Sequence, residues 1–318
     1  MYKGKSISFV VPAYNEEKLV GPTIESVPDY IDKIYVVDDC SPDNQNAVVE
    51  KYQLKDERVV LLKHTENQGP GGAVITGYLQ SSKDNIDIAV VGGGDNQFPL
   101  NEIPNLLEPI LAGECDCAKG NRFLMSCFDD TWGKMPKIRF YANWIITALT
   151  KIASGYYKTM DVVDGFTAIT KQSIDTIDWN NAWKQYGYPM SFLIVLNAYG
   201  KRIKEIPRTA VYTPGERQSQ IKGVNYALKV SPMLLRSFLW RLRFKYLYRD
   251  FHPLVFFYFL SFVLLPTGLA LGFYLFFDKL FLTGAAVSGP RSILSALFIS
   301  TGFMSLLFAM LFDMEESK

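Results

Sequence analysis

Short apolar runs alternate with longer amphipathic segments over the first 120 or so residues of the chain. The apolar runs are rich in valine and isoleucine and end in glycine or polar residues, which is typical of buried strands. Strands are predicted over 7–12, 33–39, 58–64, 87–94 and 115–123. Helices are predicted over 43–54, 71–82 and 100–112. This alternation predicts right-handed crossovers and a mostly parallel sheet, with ligands at the carboxyl ends of the strands.

The rest of the chain changes from a mixed pattern to long apolar runs. A helix is predicted over 137–153, and an apolar segment at 189–200 precedes a strand-like run at 202–212. Residues 253–277 carry no charge. As a helix they would extend about 37 Å, enough to cross a hydrocarbon core of about 30 Å. A second run of the same character covers 292–312, so we predict two transmembrane helices.

Charge is concentrated immediately before the first apolar run. That segment combines cations with aromatic rings, namely Arg236, Trp240, Arg241, Arg243, Lys245, Tyr246, Tyr248 and Arg249. This composition predicts an amphipathic interfacial helix on anionic lipid headgroups. The connector between the runs carries only Asp278, Lys279 and Arg291. The positive-inside bias therefore predicts a multi-pass protein of the cytoplasmic membrane, with the large domain and both termini in the cytoplasm.

The composition argues against nucleic acid as a partner. With 33 basic and 32 acidic residues the formal net charge is only +1, whereas nucleic-acid-binding domains are usually strongly basic. Four cysteines are present, at positions 40, 115, 117 and 127, with no second Cys/His pair close to 115 and 117. Free thiols in a reducing compartment are expected, and a zinc site is not. The chain starts without the apolar core of a signal peptide, so no cleaved leader is expected.

Polar residues follow the first three predicted strands. After the first strand, Pro12 leads into a polar turn, and Asp38 and Asp39 stand at the tip of the second. Carboxylates there can accept hydrogen bonds from a ribose hydroxyl or a base N–H. Ser41 or Asp43 can alternatively cap the following helix. After the third strand, glycines at 69, 71 and 72 allow a backbone to approach a ligand at a helix N-terminus.

The ordered set of motifs resembles the family 2 glycosyltransferases with a GT-A fold. The segments are VPAYNEE, VVDDCSPD, NQGPGGA, GDNQFP, KGNRF and DVVDGF, in that order. More closely, the chain is similar to the polyisoprenyl-phosphate branch, which includes dolichyl-phosphate mannose synthases. The resemblance implies a Rossmann-like GT-A domain, which we assign to 1–224; the basic juxtamembrane helix predicted above is assigned to 225–252, and the two predicted spans lie within 253–318. It also implies that Pro12, Tyr14, Glu16 and Asp39 hold the nucleoside, with Asp38 beside them. From the glycine-rich segment we expect Gly71 to contribute to nucleotide binding as well.

The fourth-strand motif departs from the family pattern. The family usually has Asp-x-Asp here, which holds Mg²⁺ or Mn²⁺ on the donor diphosphate; in this chain the first aspartate is Gly93, and only Asp95 and Gln97 match. A Mg²⁺ ion keeps several waters and often takes only one or two protein carboxylates, because the diphosphate supplies other oxygens. We therefore expect Asp95 and Gln97 to hold the cation.

On the acceptor side, the resemblance implies three groups of residues. Arg122 would lie near phosphate, and Asp161, close to Asp164, is the best match to the family's candidate base. A phosphate acceptor is mostly dianionic at neutral pH, so Asp161 can orient the acceptor or a cation, whereas a hydroxyl acceptor would need a base. Asp161 can alternatively be a cap or turn residue. The family's phosphate-binding loop corresponds to Arg208, Arg217, Ser219 and Lys222, for which a solvated loop is the alternative.

These inferences predict a membrane-anchored, inverting glycosyltransferase. It would move a sugar from a UDP- or GDP-linked donor to a polyprenyl phosphate at the cytoplasmic leaflet. One alternative is transfer to a hydroxyl of a lipid-linked sugar. Another is a nucleotide-sugar-binding membrane scaffold without turnover, for which Gly93 is the main support. The sugar, the base, the lipid length and homo-oligomerisation remain open.

Overall fold

A computed structural model of the chain describes residues 1–94, 98–124, 137–209, 223–282 and 288–317. It separates into two compact units, Met1–Phe238 and Leu239–Lys318. The predicted boundaries at 224 and 252 differ from this division and remain predictions.

The first unit is built on a mixed, mostly parallel sheet, as predicted. Its strands are β1 Ile7–Ala13, β2 Lys33–Asp38, β3 Val59–Lys63, β4 Ile88–Val91, β5 Cys117–Asn121, β6 Thr167–Thr170 and β7 Ile203–Pro207. Their order in the sheet is β3-β2-β1-β4-β6-β5-β7. β6 pairs antiparallel with both β4 and β5, and the other pairs are parallel. The strand at Thr167–Thr170 was not predicted.

Helices lie between the strands, four of them at the predicted ranges 43–54, 71–82, 100–112 and 137–153. They are α1 Val20–Glu25, α2 Gln45–Gln53, α3 Pro70–Lys83, α4 Ile103–Leu111, α5 Lys137–Ser154, α6 Lys171–Thr176 and α7 Tyr188–Ala198. The central strands are almost wholly buried, because helices cover a parallel sheet on both faces. α3 approaches β1 closely at Gly77, where an added Cβ would lie 2.2 Å from Val10 Cγ1.

The topology places several strand termini at one edge of the sheet. β1, β2, β4 and β5 run in the same direction, so their carboxyl ends share this edge. Because β6 runs in the opposite direction, the segment before Thr167 begins at the same edge. The polar residues that follow β1, β2 and β5 and precede β6 are therefore neighbours in space, although they are far apart in sequence.

The second unit contains a helical hairpin. It consists of α9 Leu254–Phe277 and α10 Gly289–Glu315, and both helices are long and apolar enough to cross a membrane. Small residues bring the helices together, since a Cβ on Gly268 would lie 2.9 Å from Ile299 N and one on Gly302 would lie 2.8 Å from Leu265 N. Ser295 Oγ also donates to Gly268 O at 2.9 Å. This packing is typical of membrane helices that associate without a hydrophobic driving force.

A buried ion pair joins the two ends of this unit. Arg241, near the end of α8 Gly223–Arg243, donates two hydrogen bonds to Asp313 on α10, at 2.9 Å and 2.6 Å. Tyr246 Oη and Tyr258 Oη donate to the same carboxylate at 2.5 Å and 3.3 Å. Both charged side chains are completely buried.

This ion pair corrects part of the prediction for the juxtamembrane segment. Arg241 was expected to face lipid headgroups, yet its partner is Asp313. Lys245 is also buried, and burial, together with the neighbouring charge of Arg241, lowers the pKa of Lys245 to about 8. Arg236, Arg243 and Arg249 are exposed. The sequence could not separate these two groups, because a cation looks the same whether it is solvated or paired inside the fold.

We expect Asp313→Asn to destabilise the second unit, because it leaves the buried guanidinium of Arg241 without its balancing charge. Breaking a buried pair in this way typically costs about 3–5 kcal/mol. Thermal unfolding and limited proteolysis of the full-length protein in detergent would measure the loss.

The matched control replaces both partners by apolar residues, as Arg241→Met with Asp313→Leu. This double variant should retain more stability than Asp313→Asn, because no charge is left buried alone. Equal stability of Asp313→Asn and the wild type would contradict a structural role for the pair.

Candidate active site

The turn after β1 is held in place by the loop after β2. The backbone N–H groups of residues 15, 16 and 17 donate to Ser41 Oγ at 2.7 Å, Gln45 Oε1 at 3.1 Å and Asp43 Oδ2 at 2.9 Å. Asn15 has a positive φ of 61°, which lets the chain turn sharply at this point. Tyr14 remains 48% exposed, so its ring is available at the edge of the sheet, beside Pro12 and Glu16.

Asp38 is buried at the end of β2, and three donors fix its carboxylate. They are Gln45 Nε2 at 2.5 Å, Asn46 Nδ2 at 2.9 Å and the Ser41 backbone N–H at 3.1 Å. Gln45 also donates to Ala13 O at 3.2 Å. The ends of β1 and β2 are thus linked through side chains of the first turn of α2.

Asp39 is equally buried, and its donors come from the segment after β3. The backbone N–H groups of Gln68 and Gly69 donate at 2.8 Å and 2.7 Å. The His64 ring nitrogen Nδ1 lies 2.8 Å from Asp39 Oδ1, and Nε2 lies 2.8 Å from Thr76 Oγ1. With an ionised Asp39, Nδ1 donates to the carboxylate and Nε2 accepts from the hydroxyl of Thr76. His64 therefore orients Asp39, a predicted nucleoside contact. Nothing in the sequence indicates that these two residues are partners.

The glycines after β3 have a packing role in the structure. The N–H groups of Gly71 and Gly72 donate to Lys184 O at 2.7 Å and 3.1 Å. An added Cβ on Gly71 would lie 2.6 Å from Tyr188 Cβ and 2.7 Å from Trp183 O. These glycines let the start of α3 contact the backbone before α7. The nucleotide contact predicted at Gly71 stays a prediction, and these contacts explain the glycine without it.

The end of β4 lies beside the turn after β1. An added Cβ on Gly94 would be 3.5 Å from Ala13 Cβ and 3.6 Å from Glu16 Cγ, and Thr23 Oγ1 donates to Gly94 O at 3.1 Å. Asp95 and Gln97, the predicted metal ligands, lie outside the described residues. The described part of the chain contains no cluster of three or more His, Cys, Asp or Glu that could hold a metal ion. A carboxylate and an amide oxygen remain a donor set that suits Mg²⁺ or Mn²⁺ when phosphate oxygens complete the shell.

Arg122 and Asp161 form a two-point ion pair at the same edge. Arg122 Nε and Nη2 donate to the Asp161 carboxylate at 2.7 Å and 2.9 Å, and the Arg122 backbone N–H donates at 3.2 Å. The Asp161 side chain is fully buried, whereas that of Arg122 is 15% exposed. Burial alone would raise the pKa of the Asp161 carboxyl, but the charge and hydrogen bonds of Arg122 and the charge of Lys119 hold that pKa below its usual range. Asp161 is thus an ionised partner of Arg122, enclosed by protein.

A second ion pair lies next to the first. Arg208 Nε donates to Asp164 Oδ2 at 2.5 Å, and the Arg208 guanidinium lies 5.2 Å from the centre of the Phe98 ring. Lys119, on β5, is buried and donates to the backbone carbonyl of Asp164. Burial lowers the pKa of Lys119, although the neighbouring carboxylates oppose this shift. Arg208, predicted to meet an acceptor phosphate, is therefore directed into the fold towards Asp164.

The structure thus brings Arg122, Asp161 and Arg208 together at the edge that also carries the turn after β1. The other predicted acceptor residues, Arg217, Ser219 and Lys222, lie outside the described residues. Sequence reasoning missed Lys119 and Glu205. A lysine inside a strand that is predicted to be buried signals a paired charge, whereas nothing in the sequence distinguishes Glu205 from a surface residue.

Comparison with known proteins places the chain among sugar transferases. Residues 8–178 match the family model described as Glycosyl transferase family 2. A UDP-N-acetylglucosamine–dolichyl-phosphate N-acetylglucosaminyltransferase of Methanococcus voltae is 27% identical over 234 residues, which cover 70% of this chain and 90% of that one. An undecaprenyl-phosphate mannosyltransferase of Micrococcus luteus is 27% identical over 205 residues, covering 64% of this chain and 82% of that one.

A solved structure supports the predicted GT-A fold class. The mannosyltransferase PcManGT from Pyrobaculum calidifontis, in complex with GDP-Man and Mn²⁺, aligns with a TM-score of 0.52 and 15% identity. The alignment covers 98% of this chain and 87% of that one. At 15% identity the similarity shows the fold alone.

We expect Gly71→Ala to destabilise the first unit, because the new methyl group would overlap Tyr188 Cβ and the Trp183 carbonyl. Overpacking against backbone typically costs about 1–3 kcal/mol. Chemical denaturation, followed by tryptophan fluorescence, would measure the loss in the free energy of unfolding.

The control is Gly21→Ala on α1, where the added methyl would meet only the far end of the Tyr52 side chain, at 3.0 Å from its hydroxyl. Since Tyr52 can move and alanine favours helix by up to about 1 kcal/mol, this variant should retain wild-type stability or gain some. Equal stability of the two variants would argue against the close approach at α3.

Proposed function

The chain belongs to glycosyl transferase family 2, and on that premise we propose that it transfers a sugar from a nucleotide-diphosphate donor to a polyprenyl phosphate, with inversion at the anomeric carbon. The observation that carries the proposal is the enclosed Arg122–Asp161 pair at the same sheet edge as the turn after β1. A guanidinium held by a buried carboxylate suits an anionic acceptor. Because Asp161 is enclosed, it is poorly suited to deprotonate a hydroxyl.

On the donor side, Pro12, Tyr14, Glu16, Asp38 and Asp39 form the nucleoside site. The exposed Tyr14 ring can pack on the base, and the fixed carboxylates can accept hydrogen bonds from base and ribose. The relative from Methanococcus voltae is named for a UDP-linked sugar, and the structure from Pyrobaculum calidifontis holds GDP-Man. The donor base is therefore uracil or guanine.

Asp95 and Gln97 are the residues that would hold Mg²⁺ or Mn²⁺. When bound, such an ion neutralises charge that gathers on the departing diphosphate. Without the first aspartate of the family motif, affinity for the free ion should fall more than affinity for the ion–nucleotide complex, since the diphosphate brings its own ligands.

The acceptor phosphate would meet Arg122, with Arg217, Ser219 and Lys222 from the segment that precedes α8 in the sequence. One phosphate oxygen attacks the anomeric carbon from the face opposite the nucleotide, and the bond from that carbon to the donor diphosphate breaks. No proton needs to be removed, because a phosphate monoester has a second pKa of about 6 and is mostly dianionic at neutral pH. Asp161 then orients Arg122. Arg208 contributes indirectly to the same orientation, because it holds Asp164.

The two apolar helices would anchor this domain to the membrane. α8 presents exposed leucines and arginines together, at Leu235, Arg236, Leu239 and Arg243, which suits an interfacial helix on anionic headgroups. In this arrangement the transferase domain and both ends of the hairpin lie on the cytoplasmic side. Anchoring keeps the lipid acceptor near the site and reduces the entropy lost when the two meet.

One experiment tests the proposal directly. Purified full-length protein is incubated with a panel of UDP- and GDP-sugars and short polyprenyl phosphates, and products are read by mass spectrometry. We expect addition of one sugar and release of that sugar by mild acid, as for a glycosyl phosphate. An acid-stable product would indicate a hydroxyl acceptor, and nucleotide binding without turnover over a range of Mg²⁺ and Mn²⁺ would indicate the scaffold that Gly93 supports.

The rate should also report the ionisation of the acceptor. We expect kcat/KM for the lipid to fall about tenfold per pH unit below pH 6, where the phosphate becomes a monoanion. Asp161 does not cause this fall, because its pKa is held below the usual carboxyl range. Asp161→Asn should therefore lower the rate yet keep the same acid limb, and loss of the limb in this variant would assign it to Asp161 instead.

The metal assignment rests on Asp95. Asp95→Ala should abolish transfer, and unchanged turnover would remove this residue from the site. Gly93→Asp is the reciprocal variant, which should tighten Mn²⁺ binding in a titration without nucleotide and need not raise the rate.

A further inference from the structure

Strand β7 presents one carboxylate, Glu205, to both segments that carry the Arg122–Asp161 pair. Its oxygens accept from the Met160 backbone N–H at 3.0 Å and 2.9 Å, and from the Asp161 backbone N–H at 3.2 Å. The same carboxylate accepts from Asn121 Nδ2 at 2.5 Å. Glu205 therefore links Asn121, the residue before Arg122, to Asp161, the ion-pair partner of Arg122.

Asn121 extends this connection past Arg122. Its side chain is buried, and Oδ1 accepts from the Phe123 backbone N–H at 2.7 Å. The Asn121 side chain therefore fixes the backbone on both sides of Arg122, at Asn121 itself and at Phe123. The Arg122 backbone N–H also donates to Asp161 at 3.2 Å. Contacts therefore run from Glu205 through Asn121 and Arg122 to Asp161, which is itself bonded to Glu205.

We propose that Glu205 is a positioning residue for the transfer reaction, acting with Asn121 to fix the spacing of Arg122 and Asp161. This inference rests on the proposed function, in which Arg122 meets the acceptor phosphate. Backbone pairing of β7 with β5 does not explain all the contacts, because the Glu205 side chain also reaches Met160 and Asp161, which precede β6 and lie outside the sheet.

The chemistry at this position calls for a carboxylate. Its neighbours offer only N–H donors, and an ionised carboxylate is a pure acceptor, whereas an amide must direct an NH₂ group at one of them. Burial raises the pKa of Glu205, and the donors and the charge of Lys119 offset part of that shift. The carboxylate is thus partly buried, and each of its hydrogen bonds comes from an N–H donor.

The test begins with Glu205→Gln in the full-length protein. An amide of the same shape loses one acceptor contact, so the segment at 160–161 shifts relative to Arg122. We expect kcat to fall about 10- to 100-fold, as a small misplacement of a reacting group can do. The KM for the nucleotide sugar should change by less than about threefold, because the nucleoside site is elsewhere.

A compensating pair distinguishes positioning from general damage. In Glu205→Gln combined with Asn121→Asp, the new amide at 205 can donate to the new carboxylate at 121 and still accept from the backbone at 160–161. The second oxygen at 121 can still accept from Phe123 N–H. We expect the double variant to recover kcat to within about threefold of wild type, whereas Asn121→Asp alone places two carboxylates together and should lose activity.

The stability control is Ile174→Ala, a buried position on α6. It should lower the melting temperature by several degrees, as core truncations do, and leave kcat unchanged. Unchanged kcat in Glu205→Gln would overturn the inference. So would a double variant that regains the wild-type melting temperature but not the rate, or an Ile174→Ala variant that loses activity in proportion to its stability.

If wild-type protein transferred no sugar, the proposed function would fall. Thermal unfolding would still decide whether Glu205 and Asn121 are coupled. Melting temperatures of the two single variants and the double variant form a cycle. A double variant more stable than the sum of the single effects supports direct coupling of positions 121 and 205. Additive shifts would show that Glu205 and Asn121 are not coupled and would overturn the inference.

Discussion

Pairing of buried charge at the carboxyl end of β5 is the constraint on which the candidate site depends. Lys119, Arg122 and Arg208 lie there with Asp161, Asp164 and Glu205 as acidic partners or neighbours. An unpaired charge in such a place would cost several kcal/mol. The cluster is therefore stable only when β5, β7 and the segment before β6 come together, so the same contacts that fold this part of the sheet also orient Arg122.

Much of the architecture could be predicted because apolar periodicity is a local property. The five predicted strands and the helices between them all form, with ends shifted by one to a few residues. Strand β6 was missed because Thr167–Thr170 is only four residues long and its partners are distant in sequence. Yet β6 turns the sheet from purely parallel to mixed, and it brings the 160–164 segment to the edge where Arg122 lies.

The candidate site was predictable in location and less so in its contacts. Parallel strands bring their carboxyl ends to one edge, so Asp38, Asp39 and Arg122 could be assigned to a common region from sequence. Their partners could not, because they are non-local: His64 is 25 residues from Asp39, and Glu205 is 44 residues from Asp161. Arg208 and Arg241 show the related difficulty that a charged residue in sequence does not reveal whether water or a carboxylate will surround it.

The Arg241–Asp313 pair has a consequence for how the hairpin is made. Arg241 precedes the first apolar helix and Asp313 is near the far end of the second, so neither has its partner until both helices have been synthesised and packed together. Until then each ionised side chain must stay in contact with water or another polar group, because an unpaired buried charge costs several kcal/mol. The pair can therefore form only late in folding, and a chain that lacks the second apolar helix would leave Arg241 without its carboxylate.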